Sequence, residues 1–129
     1  MKFTSLKDFR GVSNSHIVDL VMGEDLEFTW HLKERLDERK MSGRKLARIT
    51  GIRPALVAEY ANNSAKANTV NIEHIFAMMI ALRITDVEEL FTISMPQETE
   101  KRFSKERKQW LETLKMPDQL AEIEQKNKA

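Results

Sequence analysis

The 129-residue sequence contains no cysteine, which excludes a disulfide framework and any metal or redox site that depends on thiolates. It has only four glycines and three prolines, and this scarcity of chain breakers favours a helix-rich protein. The longest apolar run, Ile75–Leu82, is far shorter than the roughly 20 residues that cross a bilayer. The N-terminal residues contain no continuous apolar stretch of the kind found in a secretory signal. We therefore expect an all-α, cytoplasmic protein without a membrane partner.

Charge is abundant and nearly balanced over the whole chain, since 21 lysines and arginines face 20 aspartates and glutamates. Positive and negative residues are not evenly distributed along the chain. Residues 39–66 contain seven basic residues and one acidic residue, a net charge of +6, whereas residues 73–89 contain one basic and four acidic residues, a net charge of −3. The whole chain has no general attraction for nucleic acid, so an anionic partner would have to bind at the basic segment.

Hydrophobic spacing and capping residues predict the first two helices. Phe28, Leu32 and Leu36 recur at intervals of four, the spacing of one helix face, so the first helix should begin near Phe28. Ser42 stands where a helix N-cap is expected, and Gly51 stands where a helix end favours a left-handed residue. A short second helix should lie between these two residues.

The sequence predicts two further helices in the middle of the chain. Pro54 suits the first turn of a third helix, which should continue to Ala61 and end at residues 62–64. The fourth segment, from Asn71 to Leu82, carries apolar residues nearly all round the helix. We expect this fourth helix to be strongly buried at the centre of the core.

The rest of the chain predicts shorter or peripheral helices. Asp86 should cap a brief fifth helix from Val87 to Phe91, and Ser94 should begin a C-terminal helix that runs to about Lys115. One further short helix is expected after the break at residues 116–118.

These elements divide the chain into three segments: an N-terminal extension at residues 1–24 with a short helix from Ser15 to Met22, a main domain at residues 25–94, and C-terminal helices at residues 95–129. The C-terminal helix has an amphipathic stripe with no obvious remaining core to fill, so we expect it to mediate dimerisation. The alternative is that it folds back on the N-terminal segment. The predicted dimerisation residues are Phe103, Trp110, Leu111 and Leu114.

The most informative stretch is residues 41–60. A Leu-Ala pair ending at Ala47 is followed by Thr-Gly-Ile at residues 50–52 and then by Val57. The small alanine can pack between crossing helices, the glycine makes the turn, and the isoleucine and valine anchor the second helix. This is the pattern of a helix-turn-helix unit, whose second helix enters the major groove of DNA.

At these residues the sequence resembles the Cro and phage-repressor type of helix-turn-helix regulator, a family found in bacteria, phages and mobile elements. The resemblance runs from about Leu26 to Phe91, and the Thr-Gly-Ile-Arg-Pro segment at residues 50–54 is similar to the turn of one subgroup. The resemblance implies a five-helix repressor-type DNA-binding domain at residues 25–94, with extra N-terminal and C-terminal helical segments. It also implies a transcription factor that is usually a homodimer.

The resemblance further implies which residues meet DNA. Arg53 could contact a guanine bidentately, although a phosphate contact is equally compatible with its position. The family often has a glutamine just after the cap of the second helix, where this chain has Gly43, so that contact is lost. The residues expected at base edges or in the groove are Arg53, Pro54, Ala55, Ala58 and Glu59. Those expected at phosphates are Ser42, Arg44, Lys45, Arg48, Asn62, Asn63, Ser64 and Lys66.

No residue set predicts an enzyme, a metal site or a cofactor. His16, His31 and His74 are scattered without metal-ligand spacing and are expected at the surface or edges of helices. No serine is accompanied by the carboxylate and oxyanion arrangement that nucleophilic catalysis requires.

The leading hypothesis is therefore a sequence-specific DNA-binding regulator, a repressor that binds double-stranded DNA at a two-fold operator as a homodimer. The alternative hypothesis is a protein-interaction module on the same scaffold, such as an anti-repressor or the antitoxin component of a pair. The alternative is supported by the few hydrogen-bond donors that the third helix offers to base edges.

Overall fold

The computed structural model describes residues 4–5, 20, 24–64 and 69–128. These residues form two compact units: residues 27–94 with residues 4–5, and residues 95–128 with residues 20 and 24–26. The first unit contains strands β1 (Thr4–Ser5), β2 (Glu27–Trp30) and β3 (Phe91–Ser94), helices α1 (Leu32–Glu38), α2 (Gly43–Thr50), α3 (Pro54–Ala61) and α4 (Ile72–Leu82), and a 3-10 helix at Val87–Glu89. The second unit contains helices α5 (Gln97–Thr113) and α6 (Asp118–Lys128).

The fold is predominantly helical, which confirms the predicted class in part, and the first unit also contains a three-stranded sheet. Its strand order is β1-β2-β3, and both pairings are antiparallel. In the second pairing Phe28 lies opposite Ile93, and Trp30 lies opposite Phe91. Phe28 therefore belongs to strand β2, and α1 begins at Leu32 instead of near Phe28.

Aromatic packing explains why β2 is a strand. Phe28 and Trp30 are two residues apart and so share one face of the sheet. The ring of Phe28 stacks on that of Phe91 with centroids 4.9 Å apart, and the ring of Trp30 lies 4.7 Å from that of Tyr60. Aromatic and β-branched residues favour half-buried pleated surfaces of this kind. The interval of four between Phe28 and the helical leucines therefore does not reflect a shared helix face.

The core of the first unit is built from side chains of every helix and of β2. Buried hydrophobic residues also come from the turn after α2 and from the segments that follow α4. They are Trp30, Leu32, Leu36, Leu46, Ala47, Ile52, Val57, Tyr60, Ile75, Met78, Leu82, Ile84 and Leu90.

Helix boundaries in the middle of the chain confirm the sequence predictions. Ser42 caps α2, and its hydroxyl oxygen accepts a hydrogen bond from the backbone N–H of Lys45 at 3.1 Å. Helix α3 begins at Pro54. Asn71 caps α4, and its side-chain carbonyl accepts from the backbone N–H of Glu73 at 2.8 Å. The Ser42 cap depends on residues within one turn of the helix start, which is why the sequence reveals it. For Asn71 the sequence predicts the start of the segment but not the cap.

Helix α4 is less buried than its composition predicts. One face enters the core through Met78 and Leu82, whose side chains are 0% and 2% exposed. On another face Ile72, Phe76 and Ile80 are 62%, 57% and 65% exposed. The expectation that the whole helix is strongly buried is therefore wrong for this second face.

The segment after α4 differs from the predicted fifth helix. Asp86 acts as the expected cap, with its carboxylate accepting from the backbone N–H of Glu88 at 3.0 Å. The helix is a short 3-10 helix that ends at Glu89, and Phe91 lies in β3 instead. Because β3 pairs with β2, which lies some sixty residues earlier in the chain, local spacing could not predict it.

The second unit consists mainly of α5 and α6. Ser94 lies in β3 and does not cap the C-terminal helix, which begins at Gln97 with Pro96 in the N-cap position. No helix in the described ranges is long and apolar enough to cross a membrane. The short helix predicted from Ser15 to Met22 falls, apart from Leu20, outside the described residues.

Candidate nucleic-acid interface

The turn between α2 and α3 is held by a threonine and a glycine. The hydroxyl of Thr50 donates to the carbonyl of Leu46 at 2.8 Å and accepts from the backbone N–H of Ile52 at 3.2 Å. Gly51 has a φ of 83°, in the left-handed region that glycine adopts without strain. Ile52 and Val57 are 5% and 0% exposed, which confirms their predicted role as the anchors of α3.

The outer face of α3 is small and mostly apolar. Arg53, Pro54, Ala55 and Ala58 are exposed and Glu59 is half-buried, so the residues predicted to face the groove are accessible. Among them only Arg53 has side-chain hydrogen-bond donors. Contact with base edges would therefore depend on this one guanidinium, while the alanines could lie against thymine methyl groups.

Exposed cations lie on α2 and directly before α3. Arg44 and Lys45 lie in the first turn of α2, Arg48 lies in its last turn, and Arg53 precedes α3. Within the described part of the chain, none of these four side chains takes part in an ion pair. Unpaired cations beside an exposed helix are available to neutralise phosphates.

The cations of α1 differ because they are engaged within the fold. Lys33 pairs with Asp37 at 3.5 Å. Arg39 donates Nε to the carbonyl of Leu82 and Nη1 to the carbonyl of Arg35, each at 3.0 Å. The guanidinium of Arg39 thus caps the end of α4 and is less available to an anion than the cations of α2.

The charge distribution of α2 is unfavourable for the isolated helix. Its first turn holds two cations, Arg44 and Lys45, and no acidic residue. Cations near a helix N-terminus oppose the helix dipole, at a cost of about 0.3 to 1 kcal/mol each. A bound anion would reverse this effect, because it would interact favourably with both the cations and the dipole.

Asn63 belongs to the interior of the fold. It is 5% exposed, its side-chain oxygen accepts from the backbone N–H of Trp30 at 2.5 Å, and its side-chain nitrogen donates to the carbonyl of Trp30 at 2.9 Å. The amide therefore pairs with the backbone of β2 as another strand would. This finding corrects the sequence expectation that Asn63 contacts phosphate.

The other polar residues after α3 are placed differently. Asn62 is exposed and Ser64 is half-buried, while Lys66 lies outside the described residues. The backbone N–H of Ser64 donates to the carbonyl of Glu59 at 3.0 Å, and that of Asn63 donates to Tyr60 at 3.3 Å. These two bonds close α3 in a Schellman motif, with Asn63 in the left-handed conformation at a φ of 53°.

The start of α2 has room for a larger residue. A Cβ atom added to Gly43 would lie 3.5 Å from Cγ1 of Val57, which is ordinary van der Waals contact. The glycine at this position is therefore not required by packing. Ser42, which precedes it, is exposed, and its hydroxyl proton can still be donated while its oxygen caps α2.

Two histidines are more deeply engaged than expected. Nδ1 of His74 lies 3.0 Å from the hydroxyl of Tyr60, which joins α3 to α4, and Nε2 of His31 lies 2.9 Å from the hydroxyl of Thr92. Burial raises the pKa of Tyr60 above its ordinary value, and the nearby carboxylate of Glu59 raises it further. Neither contact leaves a local pattern in the sequence, and His16 lies outside the described residues. Among those described, no group of side chains could hold a metal ion.

The predicted dimerisation stripe on α5 is divided. Phe103 and Trp110 line an apolar cavity of about 300 Å³ within the second unit, together with Leu120. Leu111 and Leu114 are 71% and 85% exposed. Trp110 is 39% exposed, so these two leucines are the most accessible part of the stripe.

The Thr-Gly turn, the buried anchors and the exposed α3 define a helix-turn-helix DNA-binding domain. Comparison with family models agrees, since residues 31–95 match the Cro/C1-type HTH DNA-binding domain. The match spans just over half of the chain, and the chain belongs to this family. It is therefore a DNA-binding regulator with double-stranded DNA as its partner. Comparison with curated proteins and with solved structures found no match.

Proposed function

We propose that the chain is a sequence-specific transcriptional repressor that binds a two-fold operator as a homodimer, with one α3 helix in the major groove of each half-site. The half-site centres would lie roughly 10 base pairs apart, or a multiple of that distance. The observation that carries the proposal is the set of unpaired cations around the exposed face of α3. Repression needs only that the bound protein occupy the operator.

The proposed contacts fall into two classes. Base edges and the groove would be met by Arg53, with Pro54, Ala55, Ala58 and Glu59 around it. Phosphates would be met by the cations of α2 and by the polar residues at both helix ends, which fix the register of α3 without reading sequence. The proposed phosphate contacts are Ser42, Arg44, Lys45, Arg48, Asn62, Ser64 and Lys66.

Binding and selection from sheared genomic DNA test this proposal. Fragments retained by the immobilised protein at low salt should share a two-fold sequence, and gel shifts should confirm them. The Arg53→Ala variant should bind such a fragment about 1 to 3 kcal/mol more weakly and lose selectivity at one base position. An Arg107→Ala variant in the second unit is the matched control and should bind normally. Failure of the wild-type protein to retain any fragment at low salt would refute the proposal.

A second candidate function rests on the apolar character of the same face. Pro54, Ala55 and Ala58 are exposed and carry no side-chain hydrogen-bonding groups, so they would suit contact with another protein. An anti-repressor or antitoxin component would use the face in this way. The Arg53→Ala variant separates the two candidates, because it should weaken DNA binding but leave binding to a protein partner intact.

The proposed homodimer requires an interface between its two copies, which we call the seam. The sequence points to α5, where Leu111 and Leu114 are accessible. A full-length Leu111→Glu, Leu114→Glu variant tests this seam by light scattering: loss of the dimer supports it, and an unchanged dimer removes it.

A further inference from the structure

The exposed face of α4 is an apolar stripe that the DNA-binding role does not use. Ile72, Phe76 and Ile80 stand four residues apart, so they lie side by side along two turns of the helix. All three are more than half exposed. Beside them runs an apolar groove of about 450 Å³, lined by Phe76, Met79, Ile80, Arg83, Ile84 and Thr85.

We propose that this α4 stripe is a self-association surface, and that its occupant is the α4 stripe of a second copy of this chain, packed antiparallel about a two-fold axis at Phe76. The proposal adds to the proposed homodimer a second self-association surface, separate from the α5 seam, and it rests on none of the DNA contacts.

The sequence pattern of the α4 stripe is symmetric about Phe76, as a two-fold axis at that residue requires. Ile72 precedes Phe76 by four residues and Ile80 follows it by four, so an antiparallel partner places each isoleucine opposite the other. The two phenylalanines meet at the axis. The ridge of one copy would also enter the groove of the other, since ridge and groove adjoin on the same helix.

Charge at the two ends is complementary in the same arrangement. Glu73 lies about 4.5 Å along the helix before Phe76, and Arg83 lies about 10.5 Å beyond it, at 1.5 Å per residue. In the antiparallel pair the arginine of one copy comes within about 6 Å along the axis of the glutamate of the other, a distance that these side chains can bridge. Glu73 and Arg83 are both exposed, and neither takes part in an ion pair within the described ranges.

Charge also argues against nucleic acid as the occupant. Arg83 is the only basic residue between positions 73 and 89, against four acidic residues, so the surroundings of the stripe repel phosphate. A surface with an apolar centre, an acid at one end and a base at the other is self-complementary. A second copy therefore satisfies it without a further partner.

The area of the stripe predicts a weak dimer. A side chain of this size presents roughly 150 to 200 Å² when fully exposed, so the three residues leave roughly 300 Å² of apolar surface in water. A stable complex buries about 800 Å² on each partner. The α4 contact should therefore form in a concentration-dependent way and be strengthened when DNA holds two copies together.

Sedimentation equilibrium of the full chain without DNA, from about 1 µM to about 1 mM, tests the seam. The wild-type protein should show a reversible monomer–dimer equilibrium. The Ile80→Glu variant should raise the dissociation constant at least about tenfold, because it would bury an unpaired charge. The Ile49→Glu control, which changes an exposed isoleucine of α2 outside both proposed seams, should leave the constant unchanged. Circular dichroism verifies that each variant is folded.

Charge reversal makes the test specific to the antiparallel arrangement. Glu73→Arg and Arg83→Glu should each raise the dissociation constant about two- to fivefold, and the double variant should return it to within about twofold of the wild-type value. Three outcomes would overturn the proposal. They are a wild-type chain that stays monomeric throughout, a dissociation constant raised no more by Ile80→Glu than by Ile49→Glu, and a double variant that dimerises no better than the single ones. DNA binding is measured separately, so failure of this seam and failure of the proposed DNA contacts remain distinguishable.

Discussion

Replacing Asn63 should destabilise the first unit strongly, although sequence alone places this residue among the DNA contacts. Its side chain supplies partners to both the N–H and the carbonyl of Trp30, which is 2% exposed. Each buried backbone group left without a partner costs about 1 to 3 kcal/mol, so Asn63→Gly should lose about 2 to 6 kcal/mol. Glycine keeps the left-handed φ, so this variant removes the side-chain interactions without adding backbone strain.

Asn63→Ala should lose more than Asn63→Gly. Alanine removes the same bonds and must also adopt a φ of 53°, which costs an L-residue about 1 to 2 kcal/mol. Domains of this size are stable by about 5 to 15 kcal/mol, so this variant could be largely unfolded. Asn62→Ala is the matched control: its neighbouring side chain is exposed, its φ is −92°, and its stability should change by no more than about 0.5 kcal/mol.

Urea unfolding measures these differences. The Trp110→Phe background leaves Trp30 as the single tryptophan, so emission reports the first unit alone. If the free energies of unfolding of both Asn63 variants lie within about 0.5 kcal/mol of that of Asn62→Ala, the hydrogen bonds from Asn63 to β2 do not stabilise the fold. Asn63 would then return to the proposed phosphate contacts.

Two further predictions concern the start of α2 and the link between α3 and α4. Gly43→Gln should bind DNA about two- to tenfold more tightly than Gly43→Ala, because a glutamine amide adds one hydrogen bond while both variants share the same backbone change; equal affinities in a gel shift would contradict this. The raised pKa of Tyr60 means that folding favours the neutral phenol. Stability from this group is present below its ordinary pKa of 10.0 and is lost as pH rises above it. The free energy of unfolding should fall by up to about 1.4 kcal/mol per pH unit there, and this component should be absent in Tyr60→Phe if the reasoning holds.

The parts of the fold that sequence predicted are those fixed by neighbouring residues. Ser42 caps α2 through a backbone group three residues away, and Gly51 ends α2 through its own φ. Because such determinants are local, the turn and the outer face of α3 could be predicted together.

The parts that sequence missed depend on distant partners or on orientation. Strand β2 is stabilised by β3, and Asn63 bonds to a residue 33 positions earlier, so neither leaves a local pattern. The apolar residues of α4 show that a helix is hydrophobic on several faces, but not which face meets the core. Phe76 was for this reason expected to be buried and is exposed.

The salt dependence of DNA binding tests the central claim most directly. Fluorescence anisotropy with a selected fragment should show the logarithm of the binding constant falling linearly with the logarithm of salt concentration, and Arg48→Ala should reduce the slope by about 0.9. Lys33→Ala, which removes an exposed cation already paired with Asp37, should leave the slope unchanged. Equal slopes for wild type and Arg48→Ala, or a reduced slope in Lys33→Ala alone, would contradict the placement of α2 against the DNA backbone.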